Sequence, residues 1–407
     1  MPGCTNGQKK TKGYSRSQMR VLVVLTYYRP HTSGLTIYAE RLAKAMVKRG
    51  HNVTILTSRY NQNLAKEEVI DGVRIVRAPV LFRISKGVVM PTFGWLASKL
   101  VLEHDVVHLH LPQLDAAGVA LRGRLFKKPT VITYHCDLQM PQGILSWIAN
   151  QGVNLMNHLA ALFSHRIVAY THDYATHSSL LKRFSKKIVL INPPVELPEI
   201  KELDKKSFVI QQNRENKKPV VGMAARFATE KGVEVLLGAV ENLVTQYPDL
   251  QAWFAGPYQN ILGEEQYFER LLPRIQKLQE SGNWKFLGLL NPEQMVAFYQ
   301  AIDMLVLPSL NSTESFGLVQ IEAMMNRKPV IASNLPGVRQ PVKRHAMGEI
   351  IPIGNSEELA KAIEKITQNP SNYPVETNEL AAMYSPISVA QEYEKLFDLI
   401  SRELNSK

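Results

Sequence analysis

Cysteine is almost absent: the chain of 407 residues has two, Cys4 and Cys136, far apart and without metal-ligand spacing. That excludes a disulfide framework and a cysteine-built metal site, and it points to a reducing compartment. Long uncharged apolar runs are also missing. None reaches the ~18–20 residues that a membrane-spanning helix needs, and no apolar signal region follows the start. The opening "MPGCTNGQKKTKGYSRSQ" is polar, basic and glycine-containing. It reads as a disordered basic tail over residues 1–18, with Met19 as an alternative start. No G-x-G-x-x-G follows a strand pattern, which disfavours a dinucleotide oxidoreductase.

Acidic residues are scarce in one half only. Residues 1–195 hold 26 Lys and Arg against 9 Asp and Glu, and residues 196–407 hold 22 against 27, so a net +12 divides into +17 and −5. The basic half should attract something anionic: a membrane surface, an acidic acceptor or nucleic acid. Nucleic acid is the weakest of these, because no aromatic-basic interleaving on a recognisable module is present.

What is present is an alternation. Short β-branched runs ("MRVLVVLTYY", "HNVTILT", "GVRIVRAP", "DVVHLHL", "KPTVITYH", "SHRIVAYT", "KIVLINPPV") are mostly separated by helical patterns such as "IYAERLAKAMVKRG". Repeated βα units argue for a parallel sheet covered by helices on both faces. The pattern stops at "NPPVELPEI" and restarts at "KPVVGMAARF", continuing through "LQAWFAGP", "NWKFLGLL", "AIDMLVLPS" and "KPVIASN". The chain therefore reads as two doubly wound α/β domains, 19–195 and 196–382, with a linker near 192–217. A final amphipathic segment, 383–407, follows a proline-rich stretch.

In such sheets ligands bind beyond the carboxyl ends of the strands. Two stretches of the second domain sit there. In "GMAARFATEKGVEVLLGAV" the strand ends at Ala225, Arg226 follows, and Lys231 precedes a helix opened by Gly232. Two cations beside a helix N-terminus suit an anion; the plainer reading is a pair of solvated surface charges. In "MLVLPSLNSTESFGLVQIEAMMN" Glu314 lies before a helix read as "FGLVQIEAMMN", and Glu322 lies about two turns in, roughly 10 Å along the axis. Free N–H groups of the first helical turn lie between them. Carboxylates accept hydroxyls, so this spacing suits a nucleotide sugar, hydroxyl-rich at both ends with a diphosphate in the middle. The competing reading is an acid that stabilises its helix dipole and an exposed helical glutamate.

Those residues carry a resemblance. "TESFGLVQIEAMMNRKPVIAS" resembles the E-x7-E donor site of the family 4 retaining nucleotide-sugar glycosyltransferases, which have the GT-B fold. "AARFATEKG" is similar to their G-R-x4-K-G segment, with Ala225 where glycine is usual. "TYYRPHTSGLTIYAERLAKAMVKRGHNVTILT" resembles their opening unit, with Ser33-Gly34 where Gly-Gly is frequent; "DVVHLHLP" and "TYHCDL" resemble two further signatures. The resemblance covers the chain from about residue 19. It implies two Rossmann-like domains facing each other across a cleft, with the last helix crossing back onto the first domain. It implies that Glu314 contacts donor-sugar hydroxyls. Phe316, Gly317 and Leu318 would offer backbone N–H groups, and Glu322 would bind the ribose. Arg226 and Lys231 would bind the diphosphate, His135 would lie beside the reacting sugar, and Gly34 would let a loop approach the phosphates. His108 and His110 share one face of a strand, where either suits a structural role.

No D-x-D pair occurs, the device of metal-dependent transferases of the other common fold. No obligatory metal and no cofactor are therefore expected; the nucleotide sugar is a substrate. The resemblance implies retention by a front-face route; the sequence offers no convincing carboxylate nucleophile on the reacting face, and Asp137 is only a weak candidate. The acceptor is expected to be a glycan or lipid-linked, met at the cytoplasmic face of an anionic membrane, since "VLFRISKGVVMPTFGWLASKLVL" mixes apolar, aromatic and basic residues. The alternative for that stretch is an ordinary helix on the sheet. Rival functions are a sugar-nucleotide epimerase or a phosphorylase of the same fold, and a non-catalytic binding protein using the basic half.

Overall fold

The computed structural model describes residues 18–84, 87–138, 144–373 and 377–406. The tail read over residues 1–18 lies outside these residues except for Gln18. Two sheets organise the chain. The first has eight strands in the order Ile188–Leu190, Arg166–Ala169, Thr130–Tyr134, Val106–Leu111, Arg20–Val24, Asn52–Arg59, Val73–Pro79, Glu67–Ile70. The second has six parallel strands in the order Trp284–Gly288, Gln251–Ala255, Val220–Ala224, Met304–Leu307, Val330–Ser333, Gly348–Ile351. The central strands are unbroken Val, Ile and Leu runs because helices cover both faces. Val21 to Val24 and Val106 to Leu111, for example, are buried throughout.

In each sheet the strand order reverses beside the domain's first strand. The reversal leaves a crevice at the carboxyl ends. In the second domain it falls between Val220–Ala224 and Met304–Leu307. The loops carrying Arg226 with Lys231 and Glu314 with Phe316 therefore leave the sheet side by side.

Several details depart from the sequence reading. Glu67–Ile70 pairs antiparallel with Val73–Pro79 at the sheet edge, so the first sheet is mixed. The stretch 80–102 is neither a single helix nor a strand. It forms a short hairpin, Phe82–Ile84 with Gly87–Val89, followed by the helix Phe93–Glu103. The linker 192–217 contains the helix Glu202–Gln212, pinned by buried Phe208 edge-on to Trp253 at a centroid distance of 6.5 Å. The helix after Met304–Leu307 begins at Leu318 with Gly317 as its cap, not at Phe316. Glu322 is thus little more than one turn in, ~6 Å along the axis rather than ~10 Å.

The helix Pro386–Asn405 leaves the second domain and packs on the first. Its Tyr393 hydroxyl meets that of Tyr38 at 2.7 Å, and its Glu394 takes Arg49 Nη2 at 2.7 Å and faces His51 Nε2 at 2.8 Å. Its Glu403 takes Arg166 at 2.6 Å.

Candidate active site

The two corner loops are pressed together by glycine. Gly232 caps the helix Val233–Leu243 at φ +69°, and a Cβ there would lie 2.1 Å from the Pro308 carbonyl oxygen. Only a residue without a side chain lets the first loop lie against the second. Leu310 N–H then donates to the Glu230 carbonyl at 2.9 Å. Lys231 Nζ reaches Glu314 Oε2 at 2.7 Å, and Arg226 Nη2 reaches Glu230 Oε1 at 2.5 Å. Burial opposes the Lys231 charge, but Glu314 and Glu230 outweigh it and hold its pKa above the ordinary lysine value. Burial likewise opposes the charge of Glu230, and its own backbone N–H with Arg226 and Lys231 brings its pKa below the usual carboxylate range. The corner therefore carries fixed charges of both signs at neutral pH.

Gly317 performs the second close approach. At φ +78° it turns the chain into the helix Leu318–Met325, and a Cβ would meet Leu307 Cδ2 at 2.3 Å. Phe316 is buried between Tyr170 and Tyr384, at centroid distances of 5.8 and 6.1 Å, so only its backbone is available to a ligand. The first-turn N–H groups of this helix lie outside its i→i−4 ladder, with Gln320 N–H turned back to the Gly317 carbonyl at 3.0 Å. Glu322 is held by two side chains: Tyr299 hydroxyl donates to Oε2 at 2.7 Å, and Arg41 of the first domain donates to Oε1 at 2.9 Å.

The domains touch directly around this corner. Ser315 hydroxyl donates to the His135 carbonyl, and Tyr174 hydroxyl donates to the Ser312 carbonyl at 3.1 Å. Asp173 takes a two-pronged contact from Arg339, at 2.8 and 2.6 Å, and the Gly337 N–H at 2.9 Å. Burial disfavours that carboxylate, yet Arg339 and Gly337 drive its pKa far below the usual range.

His135 directly follows the strand Thr130–Tyr134, beside the Glu314 loop, but both of its ring nitrogens are engaged. Tyr170 hydroxyl lies 2.5 Å from Nδ1 and His110 Nδ1 lies 2.8 Å from Nε2. Burial and the neighbouring His110 push its pKa well down, so the ring is neutral. His110 falls to about 3 through burial, and His108 donates to or accepts from Thr133 hydroxyl at 2.7 Å. The part of His135 turned toward the second domain is thus its carbonyl. Asp137 is also occupied: Tyr134 and Ser178 hydroxyls donate to Oδ1 at 2.8 and 2.7 Å. Gly34 opens the first helix, Gly34–Lys48, after Ser33, whose hydroxyl accepts Thr36 N–H at 3.2 Å. A Cβ at Gly34 would meet open space, so the protein's own packing does not require glycine there.

The structure thus gathers Glu314, Lys231, Arg226 and the cap at Gly317 into one corner, with Glu322 one turn behind. Sequence reading missed Arg41, Tyr299 and Glu230. Glu230 has a signal in its i,i+4 spacing from Arg226; Arg41 and Tyr299 have none, since each comes from a helix remote in sequence.

Comparison with known proteins agrees with this fold. Residues 32–198 match the model of Glycosyltransferase Family 4, and residues 204–383 match that of Glycosyl transferases group 1. The phosphatidyl-myo-inositol mannosyltransferase of Mycobacterium leprae is 25% identical over 394 residues, covering 94% of this chain and 97% of its own. The protein of that name from Mycolicibacterium smegmatis is 23% identical, covering 94% of each. Among solved structures, Anabaena HepE in complex with UDP and glucose aligns with a TM-score of 0.73 at 19% identity, over 94% of this chain and 100% of its own. Sucrose-phosphate synthase from Thermosynechococcus elongatus aligns with a TM-score of 0.73 at 19% identity, over 95% and 100%. With two Rossmann-like domains of this topology and both family models in sequence along it, the chain belongs to the family 4 glycosyltransferases and has the GT-B fold.

Proposed function

We propose that the chain is a retaining hexosyltransferase that needs no metal. It would move the sugar of a GDP- or UDP-linked donor to a lipid-linked or other glycan acceptor at the cytoplasmic face of a membrane. The names of the two mycobacterial relatives favour mannose and a lipid-linked acceptor. The observation that carries the reading is the pairing of Lys231 with Glu314 at 2.7 Å, beside Arg226 and a helix N-terminus, at the reversal of strand order. One such corner offers a seat for a diphosphate and a seat for sugar hydroxyls a few ångströms apart.

In this reading Arg226, Lys231 and the backbone N–H groups of Phe316, Gly317 and Leu318 receive the diphosphate. Glu314 orients the sugar hydroxyls and Glu322 takes the ribose. The His135 loop closes the sugar site from the first domain, with its carbonyl rather than its neutral ring nearest the second domain. As the anomeric C–O bond to the diphosphate breaks, negative charge grows on the leaving oxygen. Fixed cations and N–H dipoles stabilise that charge without reorganising. The acceptor hydroxyl attacks from the same face and gives its proton to the leaving phosphate, so configuration is retained. Asp137, held by two hydroxyls, is poorly suited to act as a nucleophile.

The acceptor side is read from the surface of the first domain. Leu81, Trp95, Leu102 and Leu125 are 69%, 71%, 55% and 67% exposed. Exposed Lys99, Arg124 and Lys127 belong to the same region, which runs from the start of the hairpin through helix Phe93–Glu103 to the end of the adjoining helix Ala116–Leu125. Apolar side chains interleaved with cations suit the boundary of an anionic leaflet. Among the described residues no helix is long and apolar enough to cross a membrane.

The test is transfer from radiolabelled GDP-mannose, UDP-glucose and related donors to total polar lipid, with and without excess EDTA. One donor should be consumed only when acceptor is present, and EDTA should leave the rate unchanged. Donor turnover without acceptor would favour an epimerase, and rescue of an EDTA-silenced enzyme by Mg²⁺ would end the metal-free reading.

A further inference from the structure

Arg41 sits two turns into the first helix, on the opposite domain from the donor corner, yet its guanidinium reaches three acceptors outside its own helix. It donates to the Pro194 carbonyl at 3.4 Å, to the Glu196 carbonyl at 3.0 Å and to Glu322 Oε1 at 2.9 Å. The first two acceptors belong to the segment where the chain passes between the domains. The third belongs to the second domain. The pair is sheltered: the Arg41 and Glu322 side chains are 17% and 12% exposed. An ion pair so placed is screened less than a surface pair and fixes geometry more firmly.

Glu322 has one partner from its own domain and one from across the cleft. Tyr299, fully buried, fixes Oε2 from the helix Pro292–Ala301. Among the described residues, Arg41 is its partner from the first domain. An ionised carboxylate offers about four acceptor sites, so two remain for the neighbouring hydroxyls of a diol. If the domains part, Tyr299 stays with Glu322 and Arg41 leaves with the first helix.

We propose that Arg41 is a positioning residue for the nucleotide. It holds the Glu322 carboxylate in the orientation that receives the ribose diol, and does so only when the two domains are closed. The inference rests on the reading of Glu322 as the ribose partner. Its consequence is that nucleotide affinity reports domain closure through one guanidinium that never touches the nucleotide. Arginine is required because its planar fork spans the linker carbonyls and the carboxylate together, which a single ammonium cannot do.

The experiment is calorimetry with UDP, GDP and ADP, and separately with inorganic pyrophosphate, on the parent chain and on Arg41→Ala, Arg41→Lys, Glu322→Gln and the Arg41→Ala/Glu322→Gln double variant. Arg41→Ala should weaken the nucleotide that binds by about tenfold, equivalent to ~1.4 kcal/mol. Pyrophosphate, which has no ribose, should bind it as it binds the parent. Arg41→Lys should fall between the two, and the Arg41 effect should vanish in the Glu322→Gln background. Arg41→Lys also serves if the alanine variant does not fold, since parental nucleotide affinity in it would overturn the requirement for the fork. Parental nucleotide affinity in Arg41→Ala, with a loss in Glu322→Gln, would sink the Arg41 role and leave the ribose reading standing. No loss in Glu322→Gln would remove the ribose reading itself. Equal losses for pyrophosphate and nucleotide would show a general disturbance of the site and overturn the proposal.

Discussion

Lys231 is the residue on which the proposed chemistry depends most. Its ammonium pairs with Glu314 at 2.7 Å, and Glu314 with the charge of Glu230 holds its pKa up despite burial. A cation that already has partners needs little rearrangement when negative charge grows beside it. Lys231→Ala should therefore lower kcat by about 10²–10³, the usual cost of removing one donor from a preorganised anion site. KM should change far less, and far-ultraviolet circular dichroism should be unaltered. Steady-state kinetics decides this; a rise in KM with kcat unchanged would place Lys231 in ground-state binding only. Lys231 was legible because cation spacing at a strand end is local. Arg41 and Tyr299 were not, because what they do depends on which helices the fold brings to Glu322.

At the scale of elements, the strand Val106–Leu111 is the most revealing. Period-two alternation puts His108 and His110 on one face, and the fold then seals that face under Tyr38, Tyr393 and Phe397. Burial holds His110 at about 3. Its folded pKa thus lies below the unfolded ~6.5. Above pH ~6.5 both states leave it neutral and it contributes no pH dependence. As pH falls from ~6.5 toward 3 the unfolded state takes up a proton that the folded state refuses, and stability drops by up to ~1.4 kcal/mol per pH unit. Urea denaturation at pH 7.5, 6.5 and 5.5 should show this slope beginning below pH 6.5 and made shallower in His110→Asn; equal slopes in the two proteins would contradict it. The crossing helix Pro386–Asn405 supports a second expectation. Glu394 and Arg49 are paired with side chains 10% and 7% exposed. Glu394→Ala should cost about 3–5 kcal/mol, the cost of leaving a buried charge alone, read as a lower urea midpoint. The parallel strands were legible because β-branched runs announce them, whereas Glu67–Ile70, Phe82–Ile84 and Gly87–Val89 are too short and too exposed to do so. The helix Glu202–Gln212 was hidden by its charges, with Phe208 its only buried residue. The start of Leu318–Met325 was misplaced because "SFG" extends a helical apolar pattern into a loop that Gly317 turns by adopting positive φ.

The molecule as a whole is electrically lopsided, +17 in residues 1–195 against −5 in 196–407. Each Lys or Arg near an anionic leaflet is worth ~1 kcal/mol, and in the proposed reading exposed Trp95 and Leu125 would add apolar contact. Co-sedimentation with vesicles of rising anionic lipid content should retain more protein at low salt than at high, with screening cutting the field to ~8 Å at physiological strength. Deleting residues 1–18 should leave most of the binding, and Trp95→Ala should reduce it. Protein that stays in the supernatant at every composition would instead direct the positive charge to a soluble acidic acceptor.

The helix Pro386–Asn405 has a consequence for biosynthesis. It covers the first domain, but a ribosome reaches it only after the entire second domain has been made. Until then the nascent first domain carries Tyr38, Arg49 and His51 without the partners that enclose them. Autonomous folding of an amino-terminal fragment is therefore disfavoured, and its unfinished face is one that a chaperone can recognise. Supplying Pro386–Asn405 as a separate peptide should restore protease resistance to such a fragment, which makes the last helix a clasp on the first domain as much as a part of the second.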